Sequence, residues 1–580
     1  MNKITIEHLA RVEGNGGVTV TIDGNIVTDV KFNIFEGPRL IERLTVGRTP
    51  EEDVSLSPRI CAICSVSHRN AALRAMENAL SVTVPRKVYV TRELMHMGEM
   101  VESHSLHVYY LALPDYVGFP NAIAMASKFS FEVKIALEMK EFGNHIMKLL
   151  SGRYIHGENP VIGGFGKYPD KEELLWIKSR AIQFLPFVHK TVDLFCGLDY
   201  PEYPEEETLY VCCEPGDGAY GFWGDEILLS SGEKIVRDDY PKLTNEFVVP
   251  HSYAKRSRYK GKPYSVGALA RVNNLGERLE GEAGERYKKY FNARWGKNPL
   301  FHNAAQALEI LYCFERIPVL VDEMLKHLED PPIVKYDKKE GQGTGLVEAP
   351  RGLLIHHYRI KDGLVEHADI ITPTAQNAED IERYCRIAAQ KLCDEGKKDE
   401  IEERMNLVVR AFDPCISCSA HLAEVEYAPE EGWKEIYDKI RSEGNPVFVG
   451  VGNPARSDDA LGVELAKRMR ENGIGPVWLE SEFEQQDLSV QDRGKHFLIF
   501  LDAVDFHEKP GKVTLFPLEF VFQNLTLSHR FMPFIQAIQA DGQIKNAYVL
   551  GIQPECVGEG KDISLAVREA IDSVLGHLKN

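Results

Sequence analysis

Hydrophobic positions near the N-terminus recur with period two. Val18, Val20 and Ile22 alternate with polar residues, Asp23-Gly24 follows, and Val27, Val30 and Phe32 resume the pattern. Alternation turns one face of a strand to a core, and Asp-Gly between two such runs signals a hairpin. Over 93–113 the period changes. Leu94, Met97, Val101, Val108 and Leu111 stripe one face of a helix. Residues 121–200 and 300–330 read the same way. Residues 335–363 read as returning strands, with Gly341-Gln-Gly-Thr-Gly345 as their turn.

The pattern shifts again after His421. Residues 422–445 are acidic, include Pro429 and Gly432, and hold one short amphipathic piece over 433–440, so they read as a tether or connector helix. Pro446-Val-Phe-Val-Gly450 reads as a buried strand and 458–471 as a helix. Strands follow over 477–479, 496–501, 513–516 and 547–551, with a closing helix over 563–578. Strands alternating with helices indicate an α/β domain. The expectation is a 1–421 domain of α+β class, mainly helical with a small N-terminal sheet. A 422–445 linker joins it to a 446–580 α/β domain, three layers around a mostly parallel sheet.

Composition agrees with two cores: the chain has 580 residues, 44% of them hydrophobic. A formal charge of −19 argues against nucleic acid or an anionic membrane as partner. No apolar run reaches membrane-spanning length, and Met1-Asn-Lys-Ile-Thr lacks a secretory segment, so the expected location is the cytoplasm. Eleven cysteines in so long a chain do not make a disulfide framework. Cys196, Cys212, Cys213, Cys313, Cys385, Cys393 and Cys556 read as reduced, mostly buried thiols.

The other four form two chelating pairs. One reads Arg59-Ile-Cys61-Ala-Ile-Cys64, and the other Asp413-Pro-Cys415-Ile-Ser-Cys418-Ser-Ala-His421. Taken alone they fit a structural zinc site, an iron–sulfur cluster or a redox pair. Their separation by about 350 residues, the arginines before both pairs, and the closing histidine at the domain's end argue against a compact zinc ribbon.

Those motifs resemble the large subunit of [NiFe]-hydrogenases. Ala10-Arg-Val-Glu13-Gly14, Glu348-Ala-Pro350-Arg351-Gly352 with His356-His357, and Thr372-Pro-Thr-Ala-Gln-Asn377 extend the likeness over 1–421. Asn15 departs from it, standing where many relatives have histidine. The resemblance implies an H2-cleaving enzyme. Cys61 and Cys415 would bind nickel alone, and Cys64 and Cys418 would bridge nickel to an iron carrying cyanide and carbon monoxide. Arg351 would lie over the open position with Pro350 and Asp413 beside it, Cys61 or Cys415 would serve as base, and Glu13 would take the proton onward. Glu42 and His421 would hold a magnesium-type ion. Arg59, His68 and His357 are candidates for supporting contacts. Electrons would leave through an iron–sulfur small subunit, then to flavin or iron–sulfur acceptor subunits. The rival class is a non-catalytic metal scaffold or H2 sensor.

A second constellation begins at Gly450-Val-Gly452-Asn-Pro-Ala-Arg-Ser-Asp458-Asp459. The glycines formally fit a dinucleotide fingerprint, but two carboxylates at a helix start repel a pyrophosphate and suit a cation. With Leu501-Asp502-Ala-Val-Asp505, Leu527-Ser-His529 and Leu550-Gly-Ile-Gln-Pro554, the segment resembles the nickel-dependent endopeptidases that mature hydrogenase large subunits. Asp459, Asp502 and His529 would recognise nickel transiently, and the bond cut would be His421–Leu422. A protease fused to its own substrate suggests cleavage in cis or between neighbouring copies, with other hydrogenase maturation proteins as partners. A tether of about 24 residues could span up to ~80 Å, so reach is not limiting.

Overall fold

The computed structural model describes residues 2–37, 39–203, 207–244, 246–337, 340–420, 432–479, 482, 496–504, 509–517, 547–555 and 562–579. The chain divides into two compact units, Met1–Ala423 and Glu424–Asn580.

In the first unit the alternating run forms an antiparallel sheet of β1 (Asn2–Ile6), β2 (Gly16–Asp23) and β3 (Ile26–Ile34). Val18 pairs with Phe32 and Val20 with Val30, so the alternating residues share the buried face. A helical core follows, built from α1 (Ser65–Leu80), α2 (Arg86–Leu106), α3 (Ser130–Ser151), α4 (Lys171–Cys196), α5 (Ala268–Leu275) and α6 (His302–Lys326). The stripe over 93–113 falls on α2 and a π-helical turn, His107–Ala112, that continues it. Nearly every residue of α2 is buried, charged ones included, which marks it as an inner wall.

The second sheet runs β4 (Gly341–Ala349), β5 (Gly352–Lys361) and β6 (Leu364–Ile371), all antiparallel, and α7 (Pro373–Asp394) and α8 (Ile401–Ala411) follow. The glycine run 341–345 is strand, which corrects its reading as a turn. A Cβ on Gly343 would lie 2.3 Å from Ala79 N, and one on Gly345 would lie 2.3 Å from Ala71 O. These glycines let β4 press onto α1. The true turn is Pro350-Arg351, with Ala349 paired to Gly352.

Helix α7 is tied to the N-terminal sheet by Glu382, which accepts from Phe32 N at 2.7 Å, Arg256 Nη2 at 2.7 Å and His251 Nε2 at 2.9 Å. Burial alone would raise its carboxyl, but His251 and Arg256 hold it at about 2. A depressed folded value means stabilisation that is complete above the unfolded value of 4.5 and lost as pH falls toward 2. Glu382→Gln is therefore expected to cost on the order of 3 kcal/mol at neutral pH. Urea midpoints should show that difference constant from pH 8 to 6 and shrinking below 5. A pH-independent difference would assign the loss to packing.

The second unit has α9 (Trp433–Glu443), β7 (Asn445–Gly450), α10 (Leu461–Glu471), β8 (Val477–Leu479), β9 (His496–Ala503), β10 (Val513–Pro517), β11 (Ala547–Ile552) and α11 (Leu565–Leu578). Strand order is β8-β7-β9-β11-β10. The first three pairings are parallel and β10 runs antiparallel to β11, so the sheet is mixed. Tyr437 and Ile440 of α9 pack in this unit's core with Phe448. The chain leaves β7 for one neighbour, β8, then returns to the other, β9. The carboxyl ends of β7 and β9 thus flank a topological switch point, where open α/β sheets place ligands. Among the described residues no helix is long and apolar enough to cross a membrane.

Candidate metal centre and catalytic site

A short 3-10 turn, Ser57–Ile60, ends at Cys61, and Cys64 caps α1. The first amides of α1 need acceptors, and a carboxylate from α2 supplies them. Glu99 accepts from Val66 N at 2.6 Å and Ser67 N at 2.9 Å, and burial pushes its carboxyl up to about 8. The second pair follows Asp413, whose φ of 51° is rare for a residue with a side chain. Cys415 N donates to Thr374 Oγ1 at 2.9 Å, and Ile416–Ser419 forms one helical turn.

The two loops meet position by position. Cys61 Sγ lies 3.3 Å from Cys415 Sγ, and Cys64 Sγ lies 3.4 Å from Cys418 Sγ. All four sulfurs are buried and lie within 4.8 Å of one another. Burial raises thiols in general, but hydrogen bonds from Cys415, Cys418 and Cys64, together with Arg351, take Cys61 well below its usual value. Cys64 rises to about 11, its bonds to Cys415 and Cys418 opposed by Cys61 and burial. The soft, dry four-sulfur set fits thiophilic metal ions.

Arg351 is buried beside this cluster. Its Nε donates to Asp413 O at 2.9 Å, Nη2 to Asp413 Oδ1 at 2.9 Å and Nη1 to Ser103 Oγ at 3.2 Å. Burial opposes its charge, yet Asp413 and the cysteines outweigh burial and hold it protonated. Gln306 Nε2 donates to the other Asp413 oxygen at 3.2 Å. Pro350 is the first residue of the turn that carries Arg351. Glu13 sits against the second pair: Ser417 N donates to it at 3.1 Å, the Ser417 hydroxyl bonds it, and Ile416 N donates to its carbonyl at 3.1 Å. Asn15 bonds Glu36 through both backbone and amide nitrogen. His68 Nδ1 lies 3.0 Å from His356 Nε2, His357 bonds Thr344, and Arg59 reaches Glu158 only at 3.5 Å.

Glu42 joins two carboxylates that the motifs did not reveal, Glu246 and Asp369. Lys255 Nζ bonds Glu42 at 3.1 Å and Glu246 at 2.9 Å. Burial raises Glu246 to about 7. Three carboxylates against one ammonium make a hard, oxygen-rich set that fits a divalent cation. His421 lies outside the described residues.

Arg39 opens the run Arg39-Leu-Ile-Glu42, which points to Glu42 and not to Arg39 itself. Its Nη2 donates to Ile60 O at 2.5 Å and Ser417 O at 2.6 Å, and Nη1 donates to Arg59 O at 3.2 Å. It thus stitches both cysteine loops, through carbonyls that no motif records. Arg39→Met is expected to speed nickel loss to a chelator at least ~10-fold, the equivalent of one or two such bonds. Melting temperature should hardly change, because Arg39 is half-exposed. Nickel retained as in the parent would reduce Arg39 to a surface tie.

In the second unit, Asp459 lies in a 3-10 turn after β7, and Asp502 near the end of β9, so both stand at the switch point. Asp502 is buried and accepts from Ala503 N at 2.8 Å. The twin of Asp459, Asp458, is fully buried and accepts from Glu555 N, Ser564 N and Ser564 Oγ at 2.8, 2.7 and 2.9 Å. Asp505 and His529 lie outside the described residues.

A family described as nickel-dependent hydrogenase matches residues 39–135 and 231–421. Over 422 residues the chain is 42% identical to the alpha subunit of sulfhydrogenase 1 from Pyrococcus furiosus, covering 73% of this chain and 98% of that protein. The chain belongs to the nickel-dependent hydrogenase family. It is also 28% identical to the beta subunit of the NAD-reducing hydrogenase HoxS from Cupriavidus necator, covering 72% and 94%. Among solved structures, an NAD+-reducing [NiFe]-hydrogenase in the H2-reduced state superposes with a TM-score of 0.66 at 28% identity, covering 73% of this chain and all of that one. The hydrogenase unit is a catalytic large subunit with the four-cysteine motif. Residues 486–579 match the hydrogenase maturation protease family, so the same chain carries a maturation protease domain.

Proposed function

We propose that the hydrogenase unit cleaves H2 heterolytically and reversibly at its four-cysteine site. The observation that carries this is the convergence of four buried sulfurs with one fixed guanidinium and one hydrogen-bonded carboxylate. Cys61, Cys64, Cys415 and Cys418 would hold nickel and iron, the iron carrying cyanide and carbon monoxide. When bound, that centre supplies the electron-pair acceptor for H2 cleavage. By the family resemblance Cys61 and Cys415 would act as one set and Cys64 and Cys418 as the other. The sulfur of Cys61 or of Cys415 takes the proton, and Glu13 accepts it next. Arg351 places a permanent positive charge at the site without moving. Asp413 fixes that charge, and Pro350 sets its turn. Glu42, with Glu246, Asp369 and His421, would hold a magnesium-type ion.

Among the described residues no other cysteine cluster offers an electron route. Electrons pass to the iron–sulfur centres of a small subunit, then to flavin or iron–sulfur acceptors, in the cytoplasm. The protease domain is a three-layered, nickel-dependent endopeptidase. Asp459, Asp502 and His529 would test for nickel before the His421–Leu422 bond is cut in cis or between copies.

The decisive test is H2-dependent dye reduction by the purified complex, together with metal analysis and infrared bands of iron-bound cyanide and carbon monoxide. Nickel and iron with dye reduction are expected. Zinc in their place, with no bands and no dye reduction, would leave only a metal scaffold.

A further inference from the structure

Arg271 is fully buried and all five of its N–H groups are used. Three go to carboxylates: Nε and Nη2 to Glu309 and Nη1 to Glu348, each at 2.6 Å. The remaining two go to backbone carbonyls, Ala349 O at 3.1 Å and Pro350 O at 3.2 Å. Those carbonyls belong to the two residues immediately before Arg351. A plain internal ion pair needs only the carboxylates. The carbonyl bonds make the guanidinium a clamp on the turn that carries Arg351.

The rest of the seat has the same purpose. Arg271 lies one turn into α5, and its amide donates to Gly267 O at 3.0 Å. The Arg351 turn presses on the start of that helix. A Cβ on Gly352, where φ is 137°, would lie 2.7 Å from Gly267 N, and one on Gly267 would lie 3.0 Å from Arg351 O. Glu348 is held from its other side by Cys213 N at 2.6 Å, and Glu309 by His104 Nε2 at 2.9 Å. The turn therefore has one seat. The side chain of Arg351 then meets Asp413 and Ser103 with its backbone already fixed.

We infer that Arg271 is a positioning residue for H2 cleavage: it locks the Ala349–Gly352 turn so that Arg351 faces the cysteine cluster. The inference rests on the proposed role of Arg351. Lysine at 271 keeps the charge but has three N–H groups in place of a five-donor fork, so it cannot serve both carboxylates and both carbonyls.

The test uses the whole complex with its metals, comparing the parent, Arg271→Lys and Arg351→Lys. Arg271→Lys is expected to keep its nickel and iron and its KM for H2, while kcat falls about 100-fold, the scale of a 1 Å misplacement. The infrared bands of the iron-bound diatomic ligands should shift or broaden, a change that a merely structural role would not produce. Native kcat and native bands in Arg271→Lys would overturn the inference, provided Arg351→Lys is impaired. An unimpaired Arg351→Lys would remove the underlying reading as well. If Arg271→Lys fails to assemble, Glu348→Gln serves instead: it keeps the side chain's shape and weakens one arm of the clamp. About a 10-fold fall in kcat at full metal content supports the clamp, and no change refutes it.

Discussion

Replacing Arg351 by lysine is expected to cut H2 turnover by about 10²- to 10³-fold while nickel and iron content stay at parental levels. The guanidinium makes three bonds in fixed directions, two to Asp413 and one to Ser103. An ammonium on a flexible stem can reach one or two of these, and Asp413 would draw it away from the sulfurs. The substitution does not touch the four cysteines proposed to hold the metals, so loading should survive. The loss should fall on kcat, because a cation aimed where charge develops acts in the transition state. Loss of metal together with activity would show that Arg351 has a structural duty, and the electrostatic argument would then fail.

Replacing Asp459 by asparagine should leave the chain at its full 65.5 kDa, as read by intact mass of protein from nickel-replete cells. The parent should yield a species ending at His421 and a separate C-terminal fragment. Asp458→Asn should behave differently. Asp458 is a buried clamp with three donors on its carboxylate, and an amide there sets donor against donor at a cost of about 1–3 kcal/mol. That variant should lower the melting temperature of the protease domain, whereas Asp459→Asn should leave it nearly unchanged. Normal processing in Asp459→Asn would end the case for nickel recognition at that residue. An uncut parent, in protein that oxidises H2, would mean the domain has become structural.

What was legible in the chain depended on where the information lies. The hairpin, the long helices and the strands of the second unit follow from local periodicity. Each Cys-x-x-Cys pair was legible because a chelating pair is written in four consecutive residues, and the union of the two pairs in one site came from the family resemblance. Residues 341–345 deceive because glycine serves two ends: it permits a turn, and it permits close packing. Only the neighbouring helix α1 decides between them. The contacts of Arg39 and Arg271 were invisible for a related reason. Their partners include backbone carbonyls, which every residue type has, and those partners are remote in sequence. Glu246 and Lys255 share one hairpin, but Asp369 and Glu42 reach them from distant segments and no motif links the four. In the carboxylate twin 458–459 the resemblance singled out Asp459, but the clamping contacts of Asp458 were not legible, because its donors, Glu555 and Ser564, lie about a hundred residues on.

The pairing of cysteines 354 residues apart has a consequence in time. During synthesis at roughly 5–20 residues per second, the first pair emerges about 20–70 s before the second. Through that interval Cys61 and Cys64 are a lone two-sulfur chelator on a growing chain, open to any thiophilic ion in the cell. The wrong ion must bind them weakly enough to leave, or be kept away by an escort. The second pair comes off the ribosome just ahead of the maturation protease domain, so the last cysteines to appear are followed at once by the domain proposed to inspect them.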